Sequence, residues 1–163
     1  MSRQVNRQRH IIKIRMTLKI ILDTNVCLDL FVFCDPRWSQ IKAGLKDKSL
    51  QAVTRADCRE EWLAVLHYPH LPIDDETRGA IVTTFDEFIA LETCPEKNSR
   101  LPICTDKDDQ KFLEIARDAD ARVLVTKDKA LLKLARKTQQ LNLFNIETPE
   151  KFCTRLVANP QAL

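Results

Sequence analysis

The sequence predicts an α/β fold in which a central parallel β-sheet is flanked by helices on both faces. Short apolar runs that indicate strands alternate with longer amphipathic segments that indicate helices, and this alternation is typical of a parallel sheet. The chain has 163 residues, of which 44% are hydrophobic and 30% charged. This balance fits one globular domain with its own core.

Periodicity and helix-breaking residues place the main elements. The predicted strands are short apolar runs at residues 18–22, 51–54, 122–126 and 143–146. The longer predicted helices carry apolar residues at helical spacing and span residues 56–68, 75–91, 107–119, 129–137 and 149–157. Pro69 ends the first of these helices, because proline lacks the amide hydrogen that would continue it.

Two further helices are predicted between the first two strands. The first carries a run of apolar residues, namely Val26, Leu28, Leu30 and Phe31. The second begins at Pro36 with Asp35 as its N-cap. Its predicted buried face consists of Trp38, Ile41 and Leu45.

A basic extension over residues 1–17 precedes the predicted domain, which spans residues 18–158. Its cations are Arg3, Arg7, Arg9, Lys13 and Arg15, and it contains no acidic residue. We expect it to be disordered, either as an arm that contacts phosphate groups or as an extension in front of a true start at Met16. The formal net charge of +3 falls to about −2 without residues 1–15, so total charge does not indicate the partner.

Several functional classes are disfavoured by what the sequence contains. The two glycines, Gly44 and Gly79, are too few for a phosphate-binding or dinucleotide-binding loop. Six scattered cysteines without a C-x-x-C pair argue against a zinc site or a disulfide framework. No apolar run approaches the roughly 20 residues of a membrane span, and the N-terminus does not resemble a secretory signal. We therefore expect a cytoplasmic protein without a membrane partner.

Four acidic residues near strand-to-helix junctions form the candidate site: Asp23, Glu61, Asp109 and Asp128. The carboxyl ends of parallel strands meet at one edge of a sheet, so these side chains should converge there. Gathered carboxylates repel one another unless a hard cation neutralises them. The pattern therefore predicts a Mg²⁺ or Mn²⁺ site that activates water against a phosphodiester.

Each of these acids also has a purely structural interpretation. An aspartate after a strand, such as Asp23 or Asp128, is a common helix N-cap. An acid-rich first turn, as in residues 106–109, favours the helix dipole. Glu61 taken alone is typical of a solvated helix surface, with Glu60 as its exposed neighbour. Both interpretations stay open for each residue until the residues are placed in space.

Five segments of the chain together resemble the PIN-domain nucleases, and in particular the toxin-like group of prokaryotic toxin–antitoxin systems. The segments are residues 21–26, 61–66, 104–113, 124–128 and 146–152. The resemblance covers residues 18–157 and implies a PIN fold with an acidic pocket at the carboxyl ends of the strands. It implies that the four acids are catalytic and bind metal, and that Asp106 is an additional metal ligand.

The resemblance further implies a ribonuclease that uses one or two Mg²⁺ (or Mn²⁺) ions. Asn25, Thr126 and Lys127 are the predicted substrate-binding residues, with Lys107 and Lys129 near the same rim. The implied partners are an RNA substrate, an antitoxin protein and a second copy of the chain in a homodimer. The alternative is a PIN-like module that binds RNA or protein without cutting. For the dimer, the crowded aromatic residues Phe31, Phe33 and Trp38 either form an interface or enter the core.

Overall fold

The structure is a computed structural model that describes residues 16–159, and a parallel sheet of five strands lies at the centre of this part. The strands are β1 (Leu18–Leu22), β2 (Leu50–Thr54), β3 (Ile89–Leu91), β4 (Val123–Val125) and β5 (Asn145–Glu147). They lie in the order β3-β2-β1-β4-β5, and each neighbouring pair is parallel. The predicted fold class is confirmed.

Helices connect the strands throughout. They are α1 (Thr24–Cys27), α2 (Ser39–Lys46), α3 (Ala56–Val65), α4 (Asp75–Phe88), α5 (Gln110–Asp118), α6 (Lys129–Leu132), α7 (Ala135–Gln140) and α8 (Pro149–Ala158). A π-helical turn, Leu28–Val32, continues α1. Short 3-10 turns, Pro36–Trp38 and Lys107–Asp109, lead into α2 and α5. Among residues 16–159, no helix is long and apolar enough to cross a bilayer.

The helix predicted over residues 75–91 is wrong at its end, because the chain leaves the helix after Phe88 and forms β3. Ile89 follows Phe85 at helical spacing, and both are buried. The apolar periodicity of the helix therefore continues past Phe88, although the backbone is no longer helical there. The pairing of Ile89 with Ala52 in β2 decides the conformation, which is a tertiary effect that propensity does not contain.

Smaller differences affect other predicted boundaries. The helix predicted over residues 129–137 is divided into α6 and α7 by a tight turn, in which the Leu134 amide donates to the Leu131 carbonyl at 2.9 Å. The helix predicted to reach residue 68 ends at Val65. The last strand is Asn145–Glu147 and not residues 143–146. Residues 1–15 of the predicted basic extension lie outside the described residues.

The sheet has one apolar core on each face. Ile20 and Leu22 of β1 point into a core shared with α2, α3, α4 and α8, whereas Ile21 points into a second core shared with α5 and α6. This alternation follows from the two-residue period of a strand. Helices on both faces of a parallel sheet are thereby confirmed.

The strand order places a topological switch point beside β1. From β1 the chain builds outward through β2 and β3 on one side, and through β4 and β5 on the other. In doubly wound sheets the crevice at such a point, at the carboxyl ends of the strands, is the common ligand site. The ends of β1 and β4 are therefore where a functional site is expected.

The three aromatic residues considered for a dimer interface are divided between core and surface. Phe31 and Trp38 are buried, and the Trp38 indole donates to Asp29 Oδ2 at 3.1 Å. Phe31 contacts the rings of Trp62 and Phe85. Phe33, by contrast, is 53% exposed. The homodimer stays a prediction, and of these three residues only Phe33 is available to it.

Phe31→Ala should lower the free energy of unfolding by about 3–5 kcal/mol, because it empties a fully packed site. Phe33→Ala, two residues away, should change it by less than about 0.5 kcal/mol. Urea denaturation of both variants measures the difference. Equal effects would contradict the assignment of Phe31 to the core.

Candidate active site

A cavity of ≈ 310 Å³ lies at the switch point of the sheet. Its lining includes all four predicted acids and several neighbours: Asp23, Thr24, Asn25, Leu28, Glu61, Val65, Tyr68, His70, Asp109 and Asp128. The acids come from four separate segments of the chain. The structure therefore brings together the carboxylates that the sequence pattern predicted to converge.

Asp23 is held at the end of β1 by the backbone and side chains around it. It is only 4% exposed, and its amide donates to the Val125 carbonyl at 3.0 Å. The Thr126 hydroxyl donates to Oδ2 at 2.5 Å, and Nδ2 of the Asn25 side chain donates to the same oxygen at 3.0 Å. Its carboxylate does not cap α1. The capping interpretation therefore does not explain this side chain.

Thr126 positions the acids and does not reach the cavity itself. Its side chain is fully buried, and its hydroxyl accepts a hydrogen bond from the Asp128 amide at 2.9 Å while it donates to Asp23. We predicted that Thr126 contacts a substrate. In this arrangement the hydroxyl hydrogen is used by Asp23 and the hydroxyl oxygen accepts from the Asp128 amide. Thr126 therefore links Asp23 to the backbone of Asp128 instead of facing a substrate.

Asp128 combines both of the interpretations that the sequence left open. Its Oδ1 accepts hydrogen bonds from the amides of Ala130 at 2.8 Å and Leu131 at 3.1 Å, which is an N-cap of α6. The residue nevertheless lines the cavity. One carboxylate oxygen is therefore committed to the helix, and the residue can contribute to the site only with the rest of its carboxylate.

Asp109 reaches the cavity at the start of α5, after a long coil. The Gln110 side chain fixes this coil, because it accepts from the Cys104 amide at 2.7 Å and donates to the Pro102 carbonyl at 3.1 Å. Asp109 does not cap α5, and its carboxylate forms no hydrogen bond within residues 16–159. It is thus the least constrained acid of the cavity.

Asp106, predicted as an additional metal ligand, does not line the cavity. It is exposed, and its Oδ1 accepts from the Asp108 amide at 3.0 Å, which caps the 3-10 turn before α5. Its charge still contributes to the raised pKa of Asp109. In this structure Asp106 therefore lies next to the site but does not line the cavity.

Glu61 faces the cavity from α3, whereas Glu60 is exposed. The Thr24 hydroxyl donates to Glu61 Oε1 at 2.6 Å, and the Lys111 ammonium pairs with Oε2. Lys111 carries an amino group into an acidic site, which the sequence alone did not indicate. Only its place in the first turn of α5, two residues after Asp109, could have suggested this.

The predicted substrate-binding residues Asn25 and Lys127 are placed differently. Asn25 lines the cavity, and its side-chain oxygen accepts from the Lys127 amide at 3.3 Å. The Lys127 ammonium lies outside the cavity and pairs with Asp29 Oδ2 at 2.6 Å. Asn25 therefore lies on the cavity wall with its side-chain amide hydrogen-bonded at both ends, whereas the charge of Lys127 is shared with a buried carboxylate outside the cavity.

Burial and mutual repulsion raise the pKa of two acids. Burial raises the pKa of Asp23 to about 6, against hydrogen bonds from Thr126 and the Thr24 backbone that lower it. Burial also raises the pKa of Asp109 to about 7, with further contributions from Asp23, Asp106, Asp128 and Glu61. Carboxylates in this state favour a proton or a cation, as expected of a functional site.

The acids share the cavity without forming a complete metal site. Within residues 16–159, no group of three histidine, cysteine or acidic side chains is arranged to hold a metal ion. Glu61 is paired with Lys111 and Asp128 caps α6, so neither is free to turn fully toward the other acids. The chemistry of the donor set fits a hard divalent cation, and side-chain rotation would be needed to complete the coordination.

Stability should depend on pH through Asp109. Because its pKa is raised in the folded state, to about 7 from 3.8, the folded protein holds this proton more tightly than the unfolded chain. That contribution is fully present below about pH 4 and is lost as the pH rises through about 7. Asp109→Asn removes this pH-dependent loss of stability. The free energy of unfolding of the variant should therefore rise relative to that of the wild type as the pH increases to 8.

Urea denaturation in EDTA at several pH values measures this difference. Asp108→Asn, which removes an exposed neighbouring acid, is the matched control and should show no such trend. A constant difference between Asp109→Asn and the wild type across this pH range would contradict the raised pKa.

Comparison with known proteins agrees with this geometry. The family model of the PIN domain matches residues 19–130, well over half of the chain and all four cavity acids. An uncharacterized protein of Methanocaldococcus jannaschii is 22% identical over 142 residues, which cover 85% of this chain and 91% of that protein. The chain therefore belongs to the PIN domain family, and its fold is of the nuclease type.

Proposed function

We propose that this PIN-domain protein is a Mg²⁺- or Mn²⁺-dependent ribonuclease that hydrolyses RNA phosphodiester bonds in the acidic cavity. The observation that carries the proposal is the convergence of Asp23, Glu61, Asp109 and Asp128 on one cavity. Packing and helix capping do not account for this convergence, since only Asp128 among the four uses its carboxylate as a helix cap. Raised pKa values at two of the acids point the same way.

The donors available in the cavity suit a small hard cation, because they are carboxylate and amide oxygens. Asp23 and Asp109 are the proposed direct ligands, whereas Glu61 and Asp128 would act through water or orient the nucleophile. A divalent cation held there would lower the pKa of a water molecule and stabilise the negative charge of the leaving oxygen.

The residues of the chain itself supply positioning. Thr126 and Asn25 both donate to Oδ2 of Asp23, so this carboxylate is held in one orientation. The link from Thr126 to the Asp128 amide fixes the second acid relative to the first. Such pre-organisation is what a site for in-line attack requires, since small misplacements lower the rate strongly.

Exposed lysines at the rim are available to the phosphate backbone of a substrate. Lys107 and Lys129 are exposed and form no ion pair within residues 16–159. Contacts of this kind supply affinity independent of sequence and weaken with added salt. They would bring RNA to the acidic cavity without themselves entering it.

The alternative is a module that binds RNA or protein without cutting, and the presence of all four acids argues against it. Within the nuclease reading, the toxin of a type II toxin–antitoxin pair is the proposed biological role. An antitoxin would then satisfy the carboxylates with a basic side chain, such as arginine, in place of metal. A neighbouring gene for a small DNA-binding protein would support that role.

Asp23→Asn and Asp109→Asn should each lower Mg²⁺-dependent RNA cleavage by more than about a hundredfold, since loss of even an indirect ligand contact costs about 10–100-fold. Asparagine keeps an oxygen that can accept from Thr126, so the fold should be retained. Cleavage of a labelled RNA by the purified protein measures the effect, with Asp108→Asn as the control. Near wild-type cleavage by either variant would show that its carboxylate is not a direct ligand.

Lys111→Met should tighten the binding of Mn²⁺ by a few-fold, the scale of an ion pair worth about 1 kcal/mol or less. Without the ammonium, Glu61 loses its internal counter-ion and becomes available to the metal. Isothermal titration measures the affinity, and Lys129→Met, which removes an exposed lysine, is the control. Unchanged affinity would mean that Lys111 does not compete with metal for Glu61.

A further inference from the structure

The cavity that holds the carboxylates is also lined by two aromatic rings, Tyr68 and His70. Their ring centroids are 5.8 Å apart, and their planes are tilted by 44°. We propose that this pair is a base-binding subsite, in which an unpaired nucleobase of RNA stacks on Tyr68 beside the phosphodiester at the acids. The proposal rests on the proposed function and adds a substrate class to it.

Backbone hydrogen bonds fix the position of Tyr68, whereas its ring stays half exposed. The Tyr68 amide donates to the Val65 carbonyl at 3.0 Å, and the Leu71 amide donates to the Tyr68 carbonyl at 3.1 Å. Leu71 is buried, and Pro69 restricts the backbone between the two rings. The Tyr68 side chain nevertheless stays 50% exposed, and its hydroxyl forms no hydrogen bond within residues 16–159. An exposed ring on a constrained turn beside a functional cavity is available to a ligand.

Charge explains why such a contact is needed. The cavity is acidic and repels a phosphate backbone, and two lysines that neighbour its acids are already paired, Lys111 with Glu61 and Lys127 with Asp29. Stacking does not depend on net charge and contributes about 1–3 kcal/mol per base. The aromatic pair therefore offers attraction where electrostatics does not.

The size and polarity of the cavity specify the kind of base. Leu28 and Val65 add apolar surface beside the two rings, which suits the flat face of a nucleobase. The volume of ≈ 310 Å³ lies at the lower end of small-molecule sites, about 300–1,000 Å³, and therefore fits one nucleotide and not a duplex. A base can enter only if it is unpaired, so the preferred substrate is a single strand or a loop.

The test measures binding of a fluorescent single-stranded RNA by anisotropy in the Asp109→Asn background, which the proposed mechanism makes inactive. Adding Tyr68→Leu should weaken binding by about 5- to 150-fold, which is the stacking contribution of about 1–3 kcal/mol converted to affinity. Adding Tyr68→Trp should preserve binding, because a larger aromatic face remains. Phe33→Leu removes a similarly exposed aromatic residue outside the cavity and should have no effect.

An RNA with one abasic nucleotide, placed at each position in turn, separates base contacts from backbone contacts. Tyr68→Leu should cause no further loss with the RNA whose missing base is the stacked one. Equal weakening of intact and abasic RNA at every position would overturn the subsite, as would an unchanged affinity. Loss of binding to a protein partner, with RNA binding unchanged, would assign the rings to a protein interface and also overturn it.

The subsite and the nuclease proposal fail in different ways. If the wild type does not cleave RNA but binding depends on Tyr68 and on the base, the subsite stands and the nuclease proposal falls. If cleavage depends on Asp23 and Asp109 but Tyr68→Leu changes neither binding nor KM, the nuclease stands and the subsite falls.

Discussion

The parallel pairing of β1 with β4 brings two distant parts of the chain together, and the geometry of the acidic cavity follows from it. The Asp23 amide bonds to the Val125 carbonyl at the end of this pairing, and the adjacent Thr126 hydroxyl bonds to the Asp23 carboxylate at 2.5 Å. The same hydroxyl holds the Asp128 amide. The register of the sheet therefore sets the distance between Asp23 and Asp128. Any shift of β1 against β4 would break the two hydrogen bonds that Asp23 forms with Val125 and Thr126.

Burial of Asp23 at this point works against stability, and the surrounding structure compensates for it. The carboxylate is almost fully removed from water, which raises its pKa to about 6. The two apolar cores on either face of the sheet supply the opposing free energy. Functional sites commonly retain such unfavourable groups, while packing elsewhere sustains the fold.

Lysines moderate the negative charge without abolishing it. Lys111 neutralises Glu61 within the cavity, and Lys127 neutralises Asp29 behind it. Asp23 and Asp109 retain their repulsion, since neither has an ammonium partner within the described residues. Uncompensated charge therefore remains on both acids proposed as direct ligands, and the aromatic pair Tyr68 and His70 lines the same cavity.

The sequence by itself determined the fold class, the edge of the sheet at which a site should lie, and the four acids that converge there. Hydrophobic periodicity specifies strands and helices locally, and the acids follow the strand-to-helix junctions that a parallel sheet aligns. Together with the five family-like segments, this was sufficient to predict a PIN domain. These features are local, so they can be recognised without knowing which segments are neighbours.

Only the tertiary structure decided the features that depend on which neighbour a residue meets. Ile89 becomes a strand because β2 offers an unpaired edge, although its spacing also suits a helix. Thr126 is buried just past the end of the β1–β4 pairing, and Asp106 caps its own turn instead of entering the cavity. The contact of Lys111 with Glu61 joins helices 50 residues apart in sequence, and a pattern read along the chain does not encode such a pairing.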